Sequence, residues 1–237
     1  MYQNLVINPE VVTYYDGLKE NQTLLTGHDY GQGTTRTSQV SELSKKSASK
    51  HFESLLLAKL CRFHKVGRVL ELGSNLGKAT AYMSSACPEA IIDSVDGNKA
   101  LIDFAQLGFN KLQLPNAKPQ QNSFESFFET NKERYDLIFI DGDHHYKPTI
   151  ENYQESKRIL KGDGPIVLHD LYWSQGMTDA WEWIKQDVEA TVTIDLFFFG
   201  LVYFRPAQEK QHFRIRYPSR LSELFFIAFL LFLQHSI

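Results

Sequence analysis

The chain has 237 residues, 43% of them hydrophobic and 22% charged, a globular balance with length for one domain, its appendages and a buried core. Lys and Arg number 25 against 28 Asp and Glu, a net charge of -3, so the basic excess of a general nucleic-acid binder is missing and no nucleic-acid partner is expected. Cys61 and Cys87 form neither a C-x-x-C pair nor a zinc-ligand spacing, which excludes a disulfide scaffold and fits reduced thiols in a cytoplasmic protein.

Residues 1–10 carry no basic stretch or long apolar run, so they do not read as a secretory signal. Residues 1–48 are polar and turn-rich, with Gly27, Gly31 and Gly33 among Thr, Ser and Asp, and predict a loop-rich N-terminal cap. Phe52, Leu55, Leu56, Ala58, Leu60 and Phe63 recur at helical spacing and predict a helix over 49–63. Gly67 ends that pattern, and strands then alternate with helices. Residues 68–72 predict a strand, 77–86 a helix stopped by Pro88, 91–95 a second strand closing on Asp96-Gly97, and 99–107 a second helix. Pro115 and Pro119 weaken any strand over 112–122, while 124–130 predicts a helix with aromatics on one side. Residues 135–140 predict a buried strand that ends at Asp141. Pro148 suits the first position of a helix running to Leu160, with Gly162 at its C-cap. A strand over 165–168 ends at His169-Asp170, a helix follows over 177–189, residues 191–196 and 200–205 predict a closing β pair, and 212–216 an edge strand. Residues 218–237 form an apolar tail. Its unbroken run from Leu224 to Leu233 falls short of the ~20 residues that span a bilayer. With Arg214, Arg216 and Arg220 ahead of it, the run fits packing on the domain or on a second copy in a homodimer, or peripheral contact with a membrane surface.

Such alternation predicts an α/β fold, an open, doubly wound, mostly parallel sheet with helices on both faces. Ligands in such sheets bind beyond the carboxyl ends of the strands. Those ends carry Glu71-Leu72-Gly73, Asp96, Asp141 and His169-Asp170, so the polar chemistry gathers on one edge. Gly73 and Gly77 form G-x-x-x-G, with Asn75 where a second glycine would stand. Neither the dinucleotide G-x-G-x-x-G nor the P-loop pattern fits. An ordinary tight turn from strand to helix would look the same. A carboxylate at Asp96 can accept both hydroxyls of a ribose or cap the helix after it, and its spacing from Gly73 favours the ribose.

Together these residues resemble the class I S-adenosylmethionine-dependent methyltransferases. Glu71 to Gly77 is similar to their first motif in its small-molecule O-methyltransferase form, Asp96 to their acidic ribose residue, residues 135–146 to their fourth-strand motif and 164–170 to their fifth strand. The Asp141-Gly142-Asp143-His144-His145-Tyr146 run, the 168–174 run, the 179–185 run and the polar 29–33 segment resemble a group of bacterial methyltransferases of unassigned substrate. The resemblance implies a Rossmann-like, seven-stranded sheet with the last strand antiparallel, over a methyltransferase domain at 49–217. It implies S-adenosylmethionine as cofactor. Glu71, Gly73, Ser74 and Gly77 would hold its methionine part and the turn beneath it, Asp96 its ribose, and Asn122 and Ser123 would lie near its adenine, with Asn75, Gly97 and Asp141 also among the cofactor-binding residues.

Asp141 and Asp170 end adjacent strands and should converge where the methyl group moves. The resemblance implies Asp141, His144 and Asp170 as the catalytic set, with the His144 imidazole suited to take a proton from a hydroxyl acceptor. Metal-dependent relatives follow the second Asp with Asn. Here Leu171 stands there and cannot ligate, so a divalent ion (Mg, Mn or Fe) would fall to Asp141, His169 and Asp170, where a His ligand weighs against Mg. Alternatively, His144 and His145 merely cap the next helix and Asp170 orders a loop. Tyr172, Trp173, Trp181 and Trp183 could wall a flat acceptor, although Trp181 fits core packing better. The expected function is methyl transfer to a small-molecule hydroxyl. A nicotinamide-dependent oxidoreductase and a non-catalytic S-adenosylmethionine-binding module stay open as alternatives.

Overall fold

The computed structural model describes residues 5, 7–29, 33–46, 48–206 and 208–215. The tail at 218–237 and the Tyr30 to Gln32 part of the polar segment lie outside them. In chain order the elements are α1 (Pro9–Gly17), β1 (Leu24–Asp29), β2 (Thr34–Gln39), α2 (Val40–Lys46), α3 (His51–Phe63), β3 (Arg68–Leu72), α4 (Lys78–Ala86), β4 (Ile91–Asp96), α5 (Lys99–Lys111), β5 (Ala117–Gln121), α6 (Phe124–Thr130), β6 (Leu137–Ile140), α7 (Tyr146–Ile159), β7 (Ile166–His169), α8 (Gln175–Gln186), β8 (Val192–Asp195), β9 (Phe199–Tyr203) and β10 (Gln211–Arg214).

The main sheet has eight strands in the order β10-β8-β9-β7-β6-β3-β4-β5. Its central strands β7, β6, β3, β4 and β5 pair in parallel, and β9 runs antiparallel between β7 and β8. The implied seven strands are present, and β10 adds an eighth by pairing in parallel with β8. The edge strand expected over 212–216 is thus four residues long. The chain order reverses between β3 and β6, which places the crevice for a ligand beyond the ends of β3, β4 and β6.

Successive side chains of a strand point to opposite faces, and both faces here are apolar. Val69, Phe139 and Val167 pack with Leu56, Leu57 and Leu60 of α3 on one face. Leu70, Ile138 and Ile166 pack with Tyr153 of α7 and Trp181 and Ile184 of α8 on the other. Double burial explains the nearly continuous apolar runs of β6 and β7. Pro119 sits in β5, which lies at the outer edge, a place where a missing N–H is tolerated.

Helix α5 runs to Lys111, beyond the predicted 107, because Gly108 lets the Tyr14 ring lie against its backbone: a Cβ there would stand 2.9 Å from the Tyr14 hydroxyl. The cap carries more regular structure than its turn-rich composition suggests. Asn8 caps α1 through Glu10 N–H, and Pro9 opens it. Its Val11 and Tyr15 join Ala81, Tyr82, Ala105 and Phe109 of α4 and α5 in a third apolar cluster. Both cysteines are free.

Candidate functional site

Strand β3 ends in a tight turn that leads into α4. Gly73 has φ of 104°, and a Cβ on it would stand 2.3 Å from the Asp141 carbonyl oxygen, so only glycine fits. Gly77 has φ of 78° and caps α4, with the Phe109 ring packed against it. The Tyr15 hydroxyl of the cap donates to the Gly77 carbonyl at 2.8 Å. Asn75 adopts φ of 47°, the left-handed region that Asn tolerates, and its N–H donates to Asp96 Oδ2 at 3.1 Å. Asp96 Oδ1 accepts the Asn98 N–H at 2.8 Å. Gly97, without a side chain, follows Asp96. The Asn122 N–H donates to the Asp96 carbonyl at 3.1 Å, so Asn122 lies beside Asp96. The Ser123 hydroxyl caps α6 by accepting the Ser126 N–H.

Glu71 is buried beneath the turn and accepts hydrogen bonds from the Thr80 and Ser94 hydroxyls; Ser74 bonds Ser94 in turn. Burial, aided by the Asp141 and Asp96 charges, pushes the Glu71 carboxyl up to about 8 in spite of those bonds. It is therefore a neutral acid at pH 7. Glu71, Gly73, Ser74, Asn75, Lys78 and Asp141 line a narrow cavity of about 10 Å³, room for about one water. Ala48 and Ser49, on the link from α2 to α3, line it as well.

Asp141, His144 and Asp170 meet beyond the ends of β6 and β7. Their donor atoms all lie within 4.8 Å of one another, with His144 Nε2 4.0 Å from Asp141 Oδ1 and 3.9 Å from Asp170 Oδ2. Asp143 and Asp170 both hold left-handed φ, 55° and 56°, a conformation that turns the chain sharply where chemistry gathers. His145 Nδ1 engages Asp143 at 2.8 Å, so His145 orders the loop and stands apart from the cluster.

His169 stands behind this cluster. Its Nδ1 lies 2.7 Å from Asp141 Oδ1, and its Nε2 faces Glu53 Oε2 of α3 at 3.6 Å. Burial alone would depress this imidazole, but the Asp141 carboxylate, Glu53 and Asp170 outweigh it and hold His169 well above its usual pKa. Both nitrogens thus face inward, Nδ1 bonded to Asp141 and Nε2 without a hydrogen bond, and the third donor beside the two aspartates is His144 where the sequence pointed to His169. Glu53 was not among the sequence candidates. Its signal was legible: positions 53, 56, 57 and 60 share the buried face of α3, and a carboxylate on such a face needs a partner.

Of the aromatic candidates, Tyr172 stacks on Phe197 at 5.2 Å and Trp173 is 72% exposed, its N–H bonded to the Asp170 carbonyl. Both belong to the rim of the site. Trp181 is core, buried under Gly200. Trp183 lies on α8 against Tyr153, away from the rim.

A protein-family model described as a methyltransferase domain matches residues 70–171, from the middle of β3 to just past Asp170. Similar solved structures include a Podospora anserina methyltransferase bound to S-adenosylhomocysteine, at 14% identity and TM-score 0.60 over 89% of this chain and 100% of that one. An O-methyltransferase from Bacillus cereus in complex with S-adenosylhomocysteine matches at 12% identity and TM-score 0.60, over 83% of this chain and 90% of that one. An O-methyltransferase from Streptomyces achromogenes, in complex with S-adenosylmethionine, matches at 15% identity and TM-score 0.58, over 66% and 81%. These likenesses establish the fold. The curated proteins contain no match.

Proposed function

From a chain that carries a methyltransferase domain in the class I methyltransferase fold, we propose that it takes the methyl group of S-adenosylmethionine and passes it to a hydroxyl oxygen of a small molecule. The observation that carries this reading is the double position of Asp141. It lines the cavity of Glu71 and Gly73, and it also belongs to the cluster with His144 and Asp170. Cofactor cleft and proton-accepting groups therefore share one wall.

The residues fit such a cofactor. Glycines sit where the chain would pass close beneath it, Asp96 ends β4 where a carboxylate can meet a ribose, and the acid below the turn is neutral. Ala48 and Ser49 have to lift for the methionine arm to enter. Bound S-adenosylmethionine would supply an electrophilic methyl group on a sulfonium, whose leaving group is a neutral thioether. His144 Nε2 takes the acceptor's hydroxyl proton. The carboxylates of Asp141 and Asp170 flank the imidazolium so formed and stabilise it. Asp141 holds its own orientation because Oδ1 is committed to His169. Trp173 and Tyr172 present apolar faces to the acceptor at the rim.

The same three donors suit a divalent ion. Two carboxylates and an imidazole favour Mn, Fe or Zn over Mg. The ion would supply Lewis-acid screening of the acceptor oxygen, and Asp141, His144 and Asp170 would hold it. Nε2 of His144 cannot ligate and accept a proton at once, so the two roles exclude each other.

Calorimetric titration of the protein with S-adenosylmethionine, and with NAD as the control, tests the reading, each with EDTA or added Mn. Micromolar binding of S-adenosylmethionine alone is expected, weakened at least about tenfold by Asp96→Ala. Binding of NAD in its place, or of neither, would sink the reading. Methyl-labelled cofactor supplied with a panel of phenols and alcohols should label a product, and His144→Asn should abolish that label while leaving cofactor affinity unchanged.

A further inference from the structure

Behind His169 stands Glu53, in the first turn of α3 and 3% exposed. Its Oε2 accepts the Lys50 N–H at 2.6 Å, which caps the helix, and the same oxygen faces His169 Nε2 at 3.6 Å. His169 is 8% exposed, and among the described residues this Nε2 makes no hydrogen bond. Buried ring nitrogens are seldom left so. The contact stops just short of hydrogen-bond length, and the oxygen it needs is held by Lys50.

The other end of the same ring holds the site. Nδ1 donates to Asp141 Oδ1 at 2.7 Å and lies 3.8 Å from Asp170 Oδ2. An imidazole is rigid, so its two nitrogens move together. Phe139 and Phe199 pack against it, with ring centroids at 6.1 and 5.2 Å, and Glu53 is the charged group on its Nε2 side. The link from α2 to α3 reaches the same carboxylate, because Lys50 follows Ala48 and Ser49 of the cavity lining. Asp141 lines that cavity too, and it belongs to the cluster with His144 and Asp170. Glu53 thus joins two walls of one cleft, one by the Lys50 N–H and the other through His169.

We propose that Glu53 is a positioning residue, which acts through His169 to aim the Asp141 carboxylate and ties that aim to the link from α2 to α3. When the link lifts for the cofactor, the Lys50 N–H draws away and Oε2 is free to close on His169 Nε2. The ring is then held at both nitrogens, and Asp141 is fixed while the cleft is filled, which is the orientation that a reacting group needs. The tie to the link rests on the S-adenosylmethionine reading above; the hold of Glu53 on His169 does not.

Proton NMR of the full chain with isotope-labelled histidine rings tests both parts, with S-adenosylhomocysteine as the probe. Wild type should show a downfield ring proton between His169 Nδ1 and Asp141, assigned by its absence in His169→Gln. Glu53→Leu should lose or broaden it, while Glu53→Gln, which offers an oxygen to Lys50 and an amide to Nε2, should retain it. A Glu53 that only caps α3 would leave this proton unmoved in Glu53→Leu, and that result overturns the proposal. Should Glu53→Leu not fold, Lys50→Pro takes its place. The φ of Lys50 is -66°, which proline adopts, and the substitution removes the N–H that holds Oε2. Its His169 Nε2 resonance should shift without the probe in the direction that saturating probe shifts it in wild type. No shift in Lys50→Pro, or none in wild type on saturation, overturns the proposal. Calorimetry beside the NMR separates the failures: a probe that does not bind overturns the cofactor reading and the tie to the link, while the Glu53 and Lys50 variants still decide whether Glu53 aims Asp141.

Discussion

Glu71 shows how one side chain can be wrong for stability and right for a site. It lies beneath the turn between β3 and α4, and burial keeps it protonated up to about pH 8. An unfolded glutamate ionises near its ordinary value of 4.5. Between those two values the unfolded chain has released a proton that the folded chain retains, so stability falls as pH rises. The slope from this group approaches ~1.4 kcal/mol per pH unit, and its contribution is complete below 4.5. Glu71→Gln keeps the shape and removes the titration. Urea unfolding of both proteins at pH 5 and pH 8 should show the Gln variant gaining on wild type as pH rises; a gap independent of pH would contradict the burial argument. Gln should leave the Thr80 and Ser94 hydroxyls an oxygen to bond. The residue-level chemistry was legible wherever an acid ended an apolar strand, as at Glu71, Asp96, Asp141 and Asp170. It was hidden where the partner came from another element. Which nitrogen of which histidine faces Asp141 depends on α3, distant in sequence, and no spacing rule reaches that far.

At the scale of elements, the turn between β3 and α4 is the most constrained. Gly73 combines left-handed φ with a backbone contact that leaves no room for a Cβ, and its N–H is tied to Val95 at 2.8 Å. Gly73→Ala should therefore cost about 2 kcal/mol or more and abolish cofactor binding, measured by thermal unfolding and calorimetry. A variant with wild-type stability would show that β3 and β6 can move apart at their ends. The central strands were readable from sequence because burial on both faces leaves uninterrupted apolar runs. The elements that escaped share a physical cause. Pro119 hides β5, since its penalty disappears at a sheet edge; Gly108 hides the last turn of α5, since tertiary contact with Tyr14 overrides propensity. Helix α1 is only nine residues long, and its two buried side chains barely register as a period.

Across the whole molecule, the cap behaves as part of the core. Val11, Tyr15, Leu18 and Val40 are buried among residues of α4 and α5, although the sequence pattern suggests a boundary near residue 48. Val11→Ala should thus destabilise the entire fold by about 2 kcal/mol, seen as one transition with the same midpoint by far-ultraviolet circular dichroism and by tryptophan fluorescence. The three tryptophans, Trp173, Trp181 and Trp183, are distant in sequence from the cap and report the other end of the fold. An early transition visible by dichroism alone would mean a cap that melts independently.

The hydrogen bond from Tyr15 to the Gly77 carbonyl has a consequence for the order in which the protein is made. Its two ends are 62 residues apart. At about 5–20 residues per second of synthesis, α1 waits roughly 3–12 s for the loop it will rest on, and longer for α5. Through that interval Val11 and Tyr15 lack the α4 and α5 side chains that cover them in the folded protein. Helix α1 is made well before the turn it rests against, and that turn is completed only when α1 packs back onto it.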